Sequence, residues 1–183
     1  MIISGCDIET TGLEQSEGHR IIEVCFRLYE SDTRELVNDY ITRINPQRPI
    51  DAKAREVHGI SIDDLVSEPK WEGKVANSVR NVMGASDVLV AHNMNFDGPF
   101  IALELARVGV EIPNVATLCT MAKGRWATPL GKNPKLSELC FALGVEFNPD
   151  EAHSAVYDVD KMMECFWAGL DRGFYTLPEV DDE

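Results

Sequence analysis

The sequence lacks the features of several common protein classes. It has no apolar run long enough to cross a membrane. Its first residues, Met1 to Cys6, carry no basic flank, so we expect no signal peptide. Cysteine is scarce and odd in number, with five residues and no C-x-x-C pair. These absences favour a cytoplasmic protein whose cysteines are reduced core residues.

Positive charge is also in short supply. The chain has 17 Lys and Arg against 31 Asp and Glu, for a net charge of −14. This balance argues against nucleic-acid binding, because basic surfaces provide most of that affinity. Two observations weaken the objection. Some of the acid lies in the end segment 179–183, and other carboxylates could hold divalent cations that reverse the local field.

One segment departs from this acidic character. No acid lies between Glu111 and Glu138, and the same stretch contains four basic residues and Trp126. The basic residues are Lys123, Arg125, Lys132 and Lys135. The simpler interpretation is a basic surface loop, and the functional one is a flap that contacts phosphates.

The order of apolar patterns predicts one α/β domain over residues 1–175, followed by an acidic, flexible tail at 176–183. Runs at 2–8, 21–30 and 35–44 predict three strands in an antiparallel meander. Two further strands are expected at 87–91 and 114–119, and helices at 51–57, 61–66, 72–84, 95–108, 136–143 and 153–171. This order indicates a mixed five-stranded sheet flanked by helices on both faces.

Two acids on the first strand form the first candidate site. Asp7 and Glu9 lie two residues apart, so the period of a strand places both carboxylates on one face, roughly 6.5–7 Å apart at the backbone. Most such pairs are simply solvated. This one lies at the end of an apolar strand and is followed by the turn residues Thr10 to Gly12. That position suits a site for a hard cation.

A second acid, Asp97, lies near the start of a predicted helix, where acids commonly interact with the helix dipole. His92 and Asn93 come directly after the preceding buried strand, a place where ligands gather in α/β sheets. Near the last helix, His153 precedes Asp158 by five residues. A single histidine is usually structural, but this spacing is compatible with a base on a loop beside a ligand on a helix.

Three segments together resemble a known superfamily. Asp7-Ile8-Glu9-Thr10-Thr11-Gly12-Leu13 resembles the first motif of the DEDD exonucleases, His92-Asn93-Met94-Asn95-Phe96-Asp97 the second, and His153-Ser154-Ala155-Val156-Tyr157-Asp158 the third. Four residues separate His from Asp in the third motif, as in the DEDDh branch. Segments 17–23 and 57–60 also resemble the proofreading epsilon subunits of bacterial DNA polymerase III. Three motifs in the right order are far more specific than one.

The resemblance implies a ribonuclease H-like fold and a 3′→5′ exonuclease that releases nucleoside 5′-monophosphates from a single-stranded or frayed DNA end. Two Mg²⁺ ions, or Mn²⁺ in their place, would assist hydrolysis. By the same resemblance, Asp7 would bridge both ions, Glu9 and Asp158 would complete one site, and Asp97 would serve the other. His153 would deprotonate the attacking water, a task suited to a side chain that ordinarily titrates near neutral pH.

Substrate contacts are expected from residues around these acids. Thr10, Thr11, Gly12 and Leu13 offer backbone donors and an apolar wedge, and His92 and Asn93 offer polar groups. Phe96 could stack on a terminal base or belong to the core face of its helix, and the sequence favours neither. His58, Gly59 and Ile60 could form a wall of the nucleotide pocket, or an interhelical turn that uses a positive φ at Gly59.

Two alternatives remain open. The first is an RNA-trimming enzyme of the same superfamily, similar to oligoribonuclease or ribonuclease T, because contacts to a 2′-hydroxyl cannot be read from a sequence. The second is an inactive module that docks on a DNA polymerase, which should have lost a metal ligand, whereas all five expected residues are present. The expected partners are a DNA 3′ end, or RNA, and a polymerase. No membrane contact is expected, and the oligomeric state stays open.

Overall fold

The structure is a computed structural model that describes residues 1–178. Its single sheet has the strand order β3-β2-β1-β4-β5. The strands are β1 (Ile2–Thr10), β2 (Ile21–Glu30), β3 (Leu36–Arg43), β4 (Val88–Ala91) and β5 (Ala116–Cys119). The first three strands pair antiparallel, while β4 is parallel to β1 and β5 is parallel to β4. The predicted meander and mixed five-stranded sheet are therefore confirmed.

Six helices accompany the sheet in the described part of the chain. They are α1 (Ala52–His58), α2 (Gly73–Gly84), α3 (Met94–Arg107), α4 (Thr120–Lys123), α5 (Leu136–Leu143) and α6 (Ala155–Asp171). Strand β4 is buried on both faces, because Leu89 contributes to a cluster with α3 while Val90 contributes to a cluster with α6. A continuous apolar strand of this kind is typical of a sheet that is covered by helices on both sides.

The central position of β1 determines where the candidate acids lie. Strand β1 has β2 on one side and β4 on the other, so its end lies inside the sheet and not at an edge. On one face, Ile3 of β1 packs in the same cluster as Val159 and Met163 of α6. This packing brings the first turn of α6 to the end of β1 that carries Asp7 and Glu9.

Local differences from the predicted elements have physical causes. The helix expected at 61–66 is a short 3-10 turn at Asp63–Leu65. The last helix begins at Ala155 and not at residue 153, because His153 has a φ of 65°, which is incompatible with an α-helix. The basic segment, defined as residues 120–135, contains α4 and two 3-10 turns, Arg125–Ala127 and Pro129–Gly131.

Two remaining expectations concern membranes and the tail. Within residues 1–178, no helix combines the length and the apolar character that a bilayer span requires. Of the tail expected at 176–183, residues 179–183 lie outside the described part of the chain.

Candidate active site

Strand β1 and helix α6 bring three carboxylates together. One carboxylate oxygen from each of Asp7, Glu9 and Asp158 lies within 4.8 Å of the other two. Asp7 and Glu9 share a face of β1, as the two-residue period predicts, and Asp158 lies in the first turn of α6. The cluster therefore joins the first and third sequence motifs.

Asp97 comes from the other side of the sheet. It lies in the first turn of α3, directly after β4, and its side chain is only 3% exposed. Burial raises its pKa to about 7, and hydrogen bonds from the backbone amides of Asp97 and Ile8 oppose that rise. Ile8 lies between Asp7 and Glu9, so Asp97 is held against the same part of β1.

Burial and mutual repulsion make these four acids hard to ionise without a counterion. Burial raises the pKa of Asp7 well above its usual range, and the charge of Asp97 adds to the effect. Burial also raises the pKa of Glu9 to about 8, helped by Asp158. The pKa of Asp158 is raised by its own burial. Among residues 1–178, none of the salt bridges involves one of these acids.

This donor set fits a hard divalent cation. A group of carboxylates without a basic partner is stabilised when a cation neutralises it, and Mg²⁺ and Mn²⁺ prefer oxygen ligands. The cysteine nearest to the acids, Cys6, is buried and stays protonated, because burial and the charges of Asp97 and Asp7 raise the pKa of its thiol. The site therefore lacks the thiolate ligands that characterise structural zinc sites.

His153 lies beside the cluster in the loop before α6. Its side chain is exposed and borders the cleft that contains the acids. Its backbone N–H donates to Oδ2 of Asp158 over 3.1 Å. The expected base is thus positioned by an expected ligand, while its imidazole remains accessible to solvent.

The acids lie in a cleft of about 670 Å³. All five expected catalytic residues line it. Of the expected substrate residues, those that also line it are Thr10, Gly12, Leu13, His58, His92, Asn93 and Phe96. Thr11, Gly59 and Ile60 are absent from the lining. Leu13 is 75% exposed at its edge, which suits the expected apolar wedge.

His58 and its neighbours divide between cleft and core. The Nδ1 of His58 accepts a hydrogen bond from the backbone N–H of Ile60, and burial lowers the pKa of the imidazole. Gly59 has a φ of 72°, so the interhelical turn is present. Ile60 packs in a buried cluster with Ile22 and Leu65 and not against the cleft, because its side chain points to the core side of the turn.

Phe96 packs against the core and also borders the cleft, and its stacking on a terminal base stays a prediction. Its ring lies 4.9 Å from the ring of Phe100 and packs against the main core cluster. The same side chain is only partly buried and also lines the cleft. A terminal base could therefore contact a ring that the core holds in place.

His92 borders the cleft, but both of its ring nitrogens are occupied within the protein. Nε2 lies 3.1 Å from the carbonyl of Pro134, which can only accept, so Nε2 carries the proton. Nδ1 therefore accepts from the hydroxyl of Thr120, 2.9 Å away. Burial lowers the pKa of His92 to about 4, which keeps it neutral at physiological pH. The imidazole thereby ties Thr120 and Pro134, at the two ends of the basic segment, to the end of β4. The substrate contact expected of His92 stays a prediction.

Thr11 and Gly12 are held by a residue whose role the sequence did not show. Nδ1 of His19 lies 3.0 Å from the hydroxyl of Thr11, which also accepts from the backbone N–H of Arg20. A Cβ at position 12 would lie 2.3 Å from Cε1 of His19, so only glycine fits there. His19 therefore supports the loop that lies beside the acids. It belongs to segment 17–23, which carried part of the resemblance.

Other lining residues were also missed. Helix α1 contributes a face at positions 53, 54, 57 and 58, with Lys53 and Val57 among them, and Leu136 and Met162 add apolar surface. Positions 53 and 57, and positions 54 and 58, are four residues apart, and residues at that spacing share one helix face. This spacing was the sequence signal that could have identified them.

A mixed sheet whose central strand ends in two acids, joined by acids from α3 and α6, defines a nuclease of the ribonuclease H-like class. A family model described as an exonuclease matches residues 5–166. The chain belongs to this exonuclease family. The resemblance drawn from the three motifs is confirmed, and the chain carries an exonuclease domain.

One curated relative is the DNA polymerase III subunit epsilon of Pasteurella multocida, which is 31% identical over 169 residues. The match covers 87% of this chain and 64% of that protein, so the chain spans a little under two thirds of the relative's length. Two solved structures have the same fold. Exonuclease I superimposes with a TM-score of 0.80 at 15% identity, over 94% of this chain and 42% of that one. Exonuclease X, solved in complex with 5′ overhanging duplex DNA, superimposes with a TM-score of 0.65 at 24% identity. This match covers 95% of this chain and 94% of that one.

Proposed function

We propose that this protein hydrolyses the terminal phosphodiester bond at the 3′ end of single-stranded or frayed DNA and releases nucleoside 5′-monophosphates. The observation that carries the proposal is the cluster of Asp7, Glu9 and Asp158 within 4.8 Å of one another, in a cleft that His153 also lines. The cleft is open to solvent and bordered by apolar side chains, as a site for a nucleotide requires.

The proposal includes two Mg²⁺ ions, for which Mn²⁺ can substitute. Asp7, Glu9 and Asp158 would hold one ion, and Asp97 together with Asp7 would hold the second. When bound, divalent cations neutralise the phosphate, activate the attacking water and stabilise the leaving oxygen. Oxygen-only ligation is the reason for choosing magnesium and manganese over zinc.

The side chains around the acids divide the remaining work. His153 takes the proton from the attacking water, because its imidazole faces the cleft while its backbone is fixed by Asp158. Phe96 and Leu13 offer apolar surface to the terminal base. The loop supported by His19 positions the backbone of Thr10 and Gly12 beside the cluster.

DNA is proposed as substrate, and a DNA polymerase as partner, because the Pasteurella multocida relative is named as a subunit of one. RNA is the competing substrate. A side-by-side digestion tests the choice: single-stranded DNA, duplex DNA and RNA of one sequence, each labelled at the 5′ end, with Mg²⁺ and with EDTA.

The expected result is a ladder that shortens one nucleotide at a time from the 3′ end of the DNA strand, only with Mg²⁺. A ladder on RNA alone would move the substrate to RNA, and cleavage in EDTA would remove the cation from the mechanism. Asp7→Asn, purified in parallel, is the control for a contaminating nuclease.

A further inference from the structure

The basic segment begins and ends at the wall of the cleft. The hydroxyl of Thr120, at its start, and the carbonyl of Pro134, near its end, both bond to the ring of His92. The next residue but one, Leu136, lines the cleft directly. Residues 121–135 therefore project from the rim of the cleft and return to it.

An exposed aromatic pair joins this segment to the residues that follow α6. The rings of Trp126 and Phe174 are stacked, with centroids 3.9 Å apart and an angle of 19° between their planes. Trp126 is 38% exposed and Phe174 is 44% exposed, so the pair forms no part of the buried core. Neighbouring Leu130 is fully exposed and has a φ of 63°, a conformation that branched and bulky residues rarely adopt.

The charge on the segment differs from that of the chain as a whole. Lys123, Arg125 and Lys135 are exposed, and none of them forms a salt bridge to a residue in the range 1–178. Lys132 is different, because its Nζ binds both carboxylate oxygens of Glu138, at 2.6 and 3.0 Å. Three of the four cations therefore have no acidic partner, on a chain with a net charge of −14.

We propose that these groups form a second binding site, for the single strand that precedes the 3′-terminal nucleotide. This aromatic–basic ridge consists of Lys123, Arg125, Trp126, Lys135 and Phe174. Its cations would contact phosphates, and its exposed ring surface would stack on a base. The proposal rests on the proposed function, because the strand must have its 3′ end in the cleft for upstream nucleotides to reach the rim.

The ridge is matched to single-stranded nucleic acid by its chemistry. Stacking on an aromatic ring tolerates any base, and unpaired cations track the backbone, so together they bind a strand without reading its sequence. A 3′→5′ exonuclease must accept every sequence in this way. Because the ridge lies at the rim, substrates that are too short to leave the cleft should not use it.

A binding experiment tests the ridge by length. The fluorescence anisotropy of labelled dT3 and dT16, each with a 3′-terminal phosphorothioate linkage that resists hydrolysis, is measured with Mg²⁺. Trp126→Ala should weaken dT16 binding about tenfold, since stacking on one base is typically worth that much. It should leave dT3 binding unchanged, and Trp126→Phe should restore most of the loss.

The salt dependence of dT16 binding gives a second readout with a matched control. Lys123→Gln should reduce the slope of log affinity against log salt by about 0.7, the value for one phosphate contact on a single strand. Lys132→Gln changes the net charge by the same amount and lies in the same segment, but its ammonium is already paired with Glu138. The slope of the Lys132→Gln variant should stay at the wild-type value.

The outcomes separate the two proposals. Equal losses on dT3 and dT16, or equal slopes for the Lys123 and Lys132 variants, would overturn the ridge and leave the proposed function standing. A dT16 affinity that stays at the wild-type value in every ridge variant would also overturn it. If the wild-type protein binds neither oligonucleotide, the proposed function fails and the ridge with it.

Discussion

The backbone N–H of His153 donates a hydrogen bond to Oδ2 of Asp158, 3.1 Å away. The proposed base and a proposed cation ligand are thus joined across the start of α6. His153 keeps a φ of 65° in this arrangement, a conformation that asparagine adopts more readily than alanine. This hydrogen bond links the first and last residues of the third motif.

A substitution that preserves this backbone isolates the role of the imidazole. His153→Asn should lower single-turnover cleavage by about 10²–10⁴-fold, the usual contribution of a general base, with little change in substrate affinity. Rapid quench gives the rate, and a thermal melt shows that the fold is intact. His153→Ala is the comparison, and it should add a loss of stability. A lower melting temperature with a normal rate per folded molecule would show that His153 is structural.

Asp7 is expected to contact both cations, so Asp7→Asn should abolish Mg²⁺-dependent turnover. Without metal, the same variant should be more stable than the wild type, because it removes one ionisable carboxyl from a cluster of four acids that repel one another. Comparison of the two melting temperatures in EDTA checks the second effect. Residual Mg²⁺-dependent hydrolysis of more than a few per cent would remove Asp7 from the cation site.

The stability of the metal-free protein should fall as the pH rises. In the fold, the pKa of Glu9 is about 8 against an ordinary value of 4.5, and that of Asp97 is about 7 against 3.8. Between those values the folded state binds more protons than the unfolded state, so unfolding becomes easier as pH increases. The contribution of these two acids to stability is complete at a pH below their ordinary pKa values. It is lost as the pH rises through their raised pKa values in the fold.

Melting temperatures in EDTA between about pH 4.5 and about pH 8 measure this decline. Saturating Mg²⁺ should flatten it, because a bound cation favours the ionised carboxylates. Glu9→Gln should remove the part of the decline above neutral pH. A flat profile in EDTA would mean that these acids ionise as easily in the folded state as in the unfolded chain.

A buried ion pair connects the start of β2 to α3. Glu104 is fully buried, and its carboxylate accepts from Nε of Arg20 at 2.6 Å and Nη2 at 2.9 Å. Arg20→Ala should destabilise the fold by about 3–5 kcal/mol, because it leaves a buried charge with too few partners. Urea unfolding measures the loss. Arg107→Ala is the control, since Arg107 makes one contact of 3.1 Å to the same carboxylate and should cost less.

The close approach of Gly12 to His19 allows a compensation test. Gly12→Ala should lower both stability and kcat/KM, because the new Cβ would lie 2.3 Å from Cε1 of His19. Overpacking of this kind typically costs about 1–3 kcal/mol. The double variant Gly12→Ala with His19→Ala should recover stability relative to the single Gly12 variant. Additive losses in the double variant would show that the contact is not the cause.

Much of the fold and of the acid cluster could be predicted from the sequence, because both depend on local patterns. The period of two in β1 places Asp7 and Glu9 on one face whatever the rest of the chain does. The antiparallel meander follows in the same way from three consecutive apolar runs. The start of α6 was placed two residues early, because nothing in the sequence marks the positive φ of His153.

The rest depends on contacts between distant segments. His92 follows a buried strand, as a ligand would, but its partners Thr120 and Pro134 lie 28 and 42 residues further along the chain. The basic segment contains no acid, yet Lys132 is neutralised by Glu138, the first acid beyond it. The order of charges along the sequence does not show which of them form salt bridges in the folded chain.

The four acids of the site come from positions 7, 9, 97 and 158, on three elements that meet only when β4 has paired with β1 and α6 has packed across the sheet. A chain still emerging from the ribosome contains its first two acids well before Asp158 is synthesised. Contacts at such a sequence separation form slowly. A partly folded chain thus has an incomplete set of carboxylates. The protein therefore becomes able to catalyse only when its tertiary structure is complete.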